Sequence, residues 1–83
     1  MRILYFAWVR ERMGRAHEDI AVPADVRTVR DLIGWLRERD EGGRLAFADT
    51  RMIRAAADQE HVGLDHPLAG VRELALFPPV TGG

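Results

Sequence analysis

The sequence contains no cysteine among its 83 residues. Without thiols the chain has no disulfide, no thiolate ligand for a metal and no cysteine nucleophile. Lysine is also absent, since all 12 basic residues are arginine. Compositional bias explains the absence of lysine. The absence also means that no lysine side chain could form an isopeptide link between copies of the chain. Apolar runs are far too short for a membrane span, and no signal peptide is recognisable, which favours the cytoplasm.

The charge balance is nearly neutral, with a formal net charge of −1. No overall field therefore attracts nucleic acid or a membrane surface, and we expect neither among the partners. Apolar residues make up 47% of the chain and charged residues 30%, which is typical of one small globular domain with a modest core.

The three histidines, His17, His61 and His66, lack a second ligand at a metal-binding spacing. We therefore expect no metal site. The sequence also lacks a glycine-rich phosphate loop and a nucleophile elbow. These absences predict that the chain does not catalyse a reaction alone.

The apolar pattern predicts five strands and one main helix. Thr28 is the expected N-cap of the helix, and Gly42 and Gly43 its stop. Its buried face follows helical spacing at Val29, Leu32, Ile33 and Leu36. A short helical or irregular segment is expected at 45–47, and turns at 10–16 and 58–59. The strands are expected at 2–9, 17–22, 52–57, 62–64 and 73–77.

This order of elements predicts an α+β fold, with a mixed sheet and the main helix packed on one face. The last strand should lie parallel to the first at the centre of the sheet, because these two are the most apolar strands. This is the β-grasp arrangement of ubiquitin.

The last residues differ from the rest of the chain. Pro78 and Pro79 remove two backbone donors and fix φ, so no sheet continues past Phe77. Gly82 and Gly83 carry no side chains. We expect a domain at 1–77 and an extended tail at 78–83, thin enough for a narrow channel and ending in a carboxylate open to a nucleophile. A frayed chain end is the alternative, but the stiff proline spacer favours a functional tail.

Residues 77–83 resemble the C-terminus of the small subunit of molybdopterin synthase, a ubiquitin-like sulfur carrier. The likeness spans nearly the whole chain, and the tail is its most specific part. The other matching segments are Phe6-Ala7-Trp8-Val9-Arg10-Glu11 with Gly14, Thr28-Val29 with Leu32, and Asp65-His66-Pro67-Leu68. The chain departs from the family at Asp58, where asparagine is common, and at 69–73, which replace an acidic turn.

The resemblance implies a mechanism centred on Gly83. A ubiquitin-activating-type adenylating enzyme would use ATP to adenylate its carboxylate, and a sulfur donor would then displace AMP to leave a thiocarboxylate. In the large subunit of molybdopterin synthase, this sulfur would be donated to cyclic pyranopterin monophosphate to form the dithiolene. The chain would bind no cofactor itself and would form a heterotetramer with the large subunit.

Partner contacts are expected around and along the tail. If Leu74 and Leu76 face the core, Phe77 points outward at the tail root; alternatively, it covers the end of the sheet. Arg10, Glu11 and Arg12 favour a solvated turn over a partner contact. The expected partner-binding residues are Phe6, Phe77, Pro78, Pro79, Val80, Thr81 and Gly82.

Three other functions remain open at this point. Carriers that supply sulfur for thiazole or for tRNA thiolation share Gly-Gly, but they do not share the Pro-Pro-Val-Thr spacer. A ubiquitin-like modifier would be conjugated to lysines of target proteins. A plain interaction domain would tolerate deletion of the tail.

Overall fold

A computed structural model describes residues 1–79, so the predictions for Val80 to Gly83 lie outside the described residues. Within that range, a short 3-10 turn at Thr50–Met52 precedes the third strand. No helix in residues 1–79 is long and apolar enough to cross a membrane. In chain order the elements are β1 (Arg2–Tyr5), α1 (Ala7–Met13), β2 (His17–Asp19), α2 (Val29–Arg39), α3 (Glu41–Ala46), β3 (Arg54–Ala57), β4 (Glu60–Val62) and β5 (Glu73–Phe77).

The strands form one mixed sheet in the order β2-β1-β5-β3-β4. β1 and β5 are parallel, with Ile3 opposite Leu74 and Tyr5 opposite Leu76, whereas β2, β3 and β4 pair antiparallel with their neighbours. The predicted central parallel pair and the α+β class are therefore confirmed.

The core lies between one face of this sheet and α2. From the sheet, Ile3, Leu74 and Leu76 are completely buried. The predicted helical stripe is also completely buried: Val29, Leu32, Ile33 and Leu36. Thr28 caps α2 as predicted, because its hydroxyl accepts the backbone N–H of Asp31 while the Asp31 carboxylate accepts that of Thr28.

The prediction of a strand through Val9, followed by a turn at 10–16, was wrong. β1 ends at Tyr5, and the chain enters α1 at Ala7, whose φ is 52°. Val9 and Met13 are buried at a spacing of four residues. Over so short a segment, alternating apolar residues fit either a strand or a helix, and packing of this face selects the helix. Gly14, at a φ of 77°, ends α1 in the left-handed conformation that glycine favours.

The prediction that Gly42 and Gly43 stop the main helix was also wrong. α2 ends at Arg39, and both glycines lie inside α3. A Cβ atom at Gly43 would lie 1.8 Å from the backbone oxygen of Leu36. Glycine is required there because α3 packs directly against the backbone of α2.

The remaining boundaries differ by a few residues. β2 ends at Asp19 rather than at residue 22, β3 begins at Arg54, and β4 spans Glu60–Val62 instead of 62–64. The predicted turn at Asp58 and Gln59 is confirmed, with φ values of 48° and 73°. Residues 45–47 include the end of α3, and Ala46 and Phe47 are buried in the core, whereas Leu45, which we also expected to pack there, is 51% exposed.

Candidate functional site

The carboxyl ends of the two central strands, β1 and β5, lie at the same end of the sheet, because these strands are parallel. Tyr5 pairs with Leu76 there, and Phe77 follows as the last residue of β5. β3 starts at this end of the sheet, with Arg54 opposite Phe77. We call this end of the sheet the exit pole, since the chain leaves the sheet here toward Pro78 and Pro79. Both prolines are partly buried and lie outside regular secondary structure.

Phe77 lies on the sheet face opposite the buried Leu74 and Leu76, and it remains partly exposed. Its ring meets His61 of β4 edge to face, with the centroids 5.4 Å apart and the planes at 78°. The predicted outward direction of Phe77 therefore follows from burial of the two leucines. Contact with His61 holds the ring beside the point where the chain leaves the sheet.

Phe6 lies next to the same point. Its backbone N–H donates to the oxygen of Leu76 at 3.2 Å, and its side chain is 48% exposed. Ala7 adopts a left-handed backbone conformation that costs a non-glycine residue free energy. This conformation turns the chain out of the sheet immediately after Phe6.

A polar network supports the exit pole from the core side. The Tyr5 hydroxyl donates to Glu18 Oε2 at 2.6 Å, and Arg39 donates to both carboxylate oxygens of Glu18 at 2.9 and 2.8 Å. Burial and the bond to Glu18 raise the pKa of Tyr5 above its ordinary value. Burial alone would raise the pKa of Glu18, but hydrogen bonds from Arg39 and Tyr5 lower it to about 2.

The network continues into α3. Arg39 Nε donates to Asp40 Oδ2 at 3.1 Å, and Asp40 Oδ1 accepts the backbone N–H of Gly43 at 2.8 Å. These bonds connect two strands and two helices behind the tail root. Sequence reasoning missed this network, because Tyr5, Glu18 and Arg39 are distant in sequence and no local spacing links them.

Asp58 organises the opposite end of β5. Its carboxylate accepts the backbone N–H groups of Arg72 at 3.1 Å and Glu73 at 2.9 Å. Asp58, where the sequence departs from the family, therefore stabilises the turn that precedes β5. Residues 1–79 contain no group of three or more histidine, aspartate or glutamate side chains placed to hold a metal ion.

A five-stranded mixed sheet, with helices on one face and the chain leaving from a central strand, defines a ubiquitin-like β-grasp domain. The crystal structure of SAMP1 from Haloferax volcanii is similar, with a TM-score of 0.70 and 29% identity over 100% of this chain and 98% of that chain. Residues 3–83 match the ThiS family. The chain belongs to the ThiS family.

Two curated relatives have the same printed name, molybdopterin synthase sulfur carrier subunit. The Escherichia coli (strain K12) protein is 40% identical over 83 residues, covering 100% of this chain and 99% of the relative. The Mycosarcoma maydis protein is 32% identical over 87 residues, covering 100% and 92%. These matches confirm the resemblance inferred from the sequence.

Proposed function

We propose that this chain is the sulfur carrier subunit of a molybdopterin synthase. The observation that carries the proposal is 40% identity, across the full chain, to the Escherichia coli protein of that name. The structure supports it physically, because β5 is anchored at the sheet centre and ends at the exit pole, immediately before the tail begins at Pro78.

In the proposed cycle, the Gly83 carboxylate attacks the α-phosphorus of ATP in a ubiquitin-activating-type adenylating enzyme, and pyrophosphate leaves. The adenylate gives the poorly electrophilic carboxyl carbon a good leaving group. A sulfur donor then attacks this carbon, the carbon–oxygen bond to AMP breaks, and a thiocarboxylate remains on Gly83. ATP is used by the partner, and this chain binds no cofactor itself.

The large subunit then receives the loaded carrier, and the thiocarboxylate sulfur attacks a carbon of cyclic pyranopterin monophosphate and displaces an oxygen substituent from it. Water then hydrolyses the resulting thioester, which leaves the sulfur on the pterin and regenerates the Gly83 carboxylate. A dithiolene contains two sulfur atoms and each carrier brings one, so two deliveries are required. In this proposal the complex is a heterotetramer of two small and two large subunits. Holding the nucleophile in a closed pocket supplies much of the rate.

In this proposal, residues near the exit pole dock and the tail enters the partner. Phe6 and Phe77 are apolar anchors, and Pro78 and Pro79 form a stiff spacer. Val80, Thr81 and Gly82 lie inside the partner's channel. The channel can be narrow around Gly82 and Gly83, because these residues have no side chains. The cycle takes place in the cytoplasm and involves neither nucleic acid nor a membrane.

Mass spectrometry tests the proposal. After incubation with the cognate activating enzyme, ATP and a sulfur donor, we expect the chain to gain the mass of one oxygen-to-sulfur exchange. Removal of Gly83 should abolish this gain, while circular dichroism and the melting temperature stay unchanged. Sulfur delivery by the truncated chain would contradict the proposal.

A protein modifier is the second candidate, since the similar Haloferax volcanii structure is named small archaeal modifier protein 1. Peptides from other proteins that carry a Gly-Gly branch on lysine would support it. Sulfur supply to thiazole or tRNA would instead be indicated if the partner that co-purifies belongs to one of those pathways.

A further inference from the structure

An apolar groove lies at the end of the sheet opposite the exit pole, where β1 and β5 begin. Its volume is about 460 Å³, which is large enough for a short peptide or a small ligand. The loop between β2 and α2, the loop before β5 and the residue before β1 supply the main lining side chains: Met1, Val22, Pro23, Val26, Pro67 and Leu68. We call it the proline groove, because each of the two loops contributes one proline.

Backbone hydrogen bonds hold the two loops of the proline groove together. The N–H of Leu68 donates to the oxygen of Arg27 at 2.8 Å, and the N–H of Val29 donates to the oxygen of His66 at 3.0 Å. The proline in each loop also fixes φ. The groove is therefore formed in the free chain, and a ligand does not have to order these loops when it binds.

Arg27 supplies the one charged side chain among the residues of 1–79 that line the groove. It is exposed, and its guanidinium makes no hydrogen bond or ion pair with the rest of residues 1–79. The nearby Asp31 carboxylate already accepts the backbone N–H groups of Arg27 and Thr28. Asp25 lines a separate depression on α2. An apolar ligand that ends in an anion therefore matches the groove.

The C-terminal tail has this chemistry in the required order. Pro78, Pro79 and Val80 are apolar, and the chain then ends in the carboxylate of Gly83. A carboxylate can accept two parallel hydrogen bonds from a guanidinium. We propose that the proline groove binds the tail of a second copy of this chain, with the Gly83 carboxylate on the Arg27 guanidinium.

The distances favour a second copy over the chain's own tail. The tail begins at the exit pole, and β5, with five residues, separates that pole from the groove by about 13 Å. Six tail residues reach at most about 20 Å when fully extended. To enter its own groove, the tail would have to reverse at Pro78 and Pro79, retrace β5 and then continue to Pro67. The fixed φ of the two prolines opposes such a reversal.

This contact joins different surfaces of two copies, so it is heterologous and can repeat from copy to copy. It buries far less than the area of about 800 Å² per partner in a stable complex, and it is therefore weak and reversible. The contact covers the Gly83 carboxylate while the chain is not bound to another protein. This covering role rests on the proposed function, whereas the contact itself does not.

A peptide titration followed by NMR tests the contact. We expect a synthetic peptide with the sequence of residues 77–83 and a free carboxylate to shift the amide signals of Val22, Val26 and Leu68 in the isotopically labelled full chain. The same peptide with a C-terminal amide should bind about fivefold more weakly, because it cannot form the charge-assisted pair. In sedimentation, the full chain should self-associate at high concentration, and deletion of residues 80–83 should abolish this.

Arg27→Gln is the matching change on the groove. It should weaken binding of the free-acid peptide by about the same fivefold factor and leave the affinity for the amide peptide unchanged, because both changes remove the same pair. Arg37→Gln is the control, since Arg37 is 41% exposed on α2 and does not line the groove. Its affinity for both peptides should equal that of the unmodified chain, and all variants should melt at similar temperatures.

Shifts at the exit pole instead of the groove, equal binding of the two peptides, or unchanged affinity of Arg27→Gln would each overturn the inference. Equal binding of a peptide with the same residues in scrambled order would do so too, since the groove would then accept any apolar peptide. Self-association that survives deletion of residues 80–83 would assign the contact to another face. Thiocarboxylation of Gly83 is measured separately by its mass gain. Absence of that gain contradicts the proposed function, whereas a failed titration with the gain present contradicts only the groove contact.

Discussion

Arg39 and Glu18 are joined by two parallel hydrogen bonds of 2.9 and 2.8 Å, although they lie 21 residues apart. Their side chains are 23% and 15% exposed, so the pair is largely shielded from water. Tyr5 donates a third hydrogen bond to the same carboxylate. Arg15, in the turn before β2, donates a fourth hydrogen bond to Glu18 Oε1 at 3.0 Å. The exit pole is therefore supported by a charged group whose partners come from β1, α2 and this turn.

Replacing Arg39 by methionine should destabilise the domain by about 2 kcal/mol, because the shielded Glu18 carboxylate would lose its two-bonded partner and keep only the more exposed Arg15 as a counter-ion. Urea unfolding measures this loss. Arg37→Met is the control, since Arg37 is 41% exposed and lies 3.9 Å from Glu38, and it should change stability by less than about 0.5 kcal/mol. If both substitutions lower the free energy of unfolding equally, the Arg39–Glu18 pair stabilises the domain no more than an exposed ion pair does.

Stability should also depend on the ionisation of Glu18. Its pKa is lowered from 4.5 to about 2 on folding, so the stabilisation is fully present above pH 4.5 and is lost as the pH falls from 4.5 toward 2. The full effect amounts to about 3 kcal/mol at 1.36 kcal/mol per pKa unit. Urea unfolding of the unmodified chain and Glu18→Gln between pH 2 and pH 7 checks this. The stability gap between them should narrow as the pH falls, and a gap that stays constant would contradict the assignment.

Alanine substitutions at Gly43 and Gly34 should change the stability of the domain in opposite directions. Gly43→Ala should destabilise by about 3 kcal/mol, because the new methyl group would overlap the backbone of Leu36. Gly34→Ala should stabilise by about 1 kcal/mol, since it lies inside α2 and its Cβ would meet nothing within 4 Å. Thermal and urea unfolding of both variants provide the comparison. A tolerated Gly43→Ala would mean that α3 does not pack so closely on α2.

Asp58→Ala should destabilise by about 2 kcal/mol, because the N–H groups of Arg72 and Glu73 lose their acceptor. Alanine also tolerates the positive φ of this position poorly. Asp58→Asn retains an acceptor oxygen and should be nearly neutral. If asparagine costs as much as alanine, the negative charge rather than the hydrogen bonding stabilises the turn.

Phe77→Ala tests the predicted anchor at the tail root. We expect about tenfold weaker binding of the cognate large subunit, as for a central aromatic contact, with only a small drop in melting temperature because Phe77 is already partly exposed. His61→Ala removes the contact to the ring but keeps the ring, so binding should weaken less. Normal binding of Phe77→Ala would contradict the anchor role.

The sequence was sufficient where local pattern and long-range packing agree. Thr28 caps α2 because a hydroxyl and Asp31 three residues later form a capping box without help from other elements. Leu74 and Leu76 alternate with Phe77, so burial of the leucines requires that Phe77 lie on the opposite face. The central pairing of β1 with β5 followed from their apolar composition.

Local pattern failed where backbone packing decided the outcome. Residues 7–9 continue the apolar pattern of the predicted first strand, yet burial of Val9 and Met13 makes 7–13 a helix. Gly42 and Gly43 resemble a helix stop, but contact with the backbone of α2 requires a residue without a side chain at Gly43.

The sequence by itself determined the fold class, the capped main helix, the alternating last strand and the resemblance on which the proposed function rests. These are properties of residues close together in the chain, or of composition. Only the tertiary structure decided that Tyr5, Glu18 and Arg39 form one network, and that Phe6 lies beside the end of β5. Such groupings depend on which distant segments pack together, because burial of a shared core, and not sequence spacing, brings these side chains to one end of the sheet.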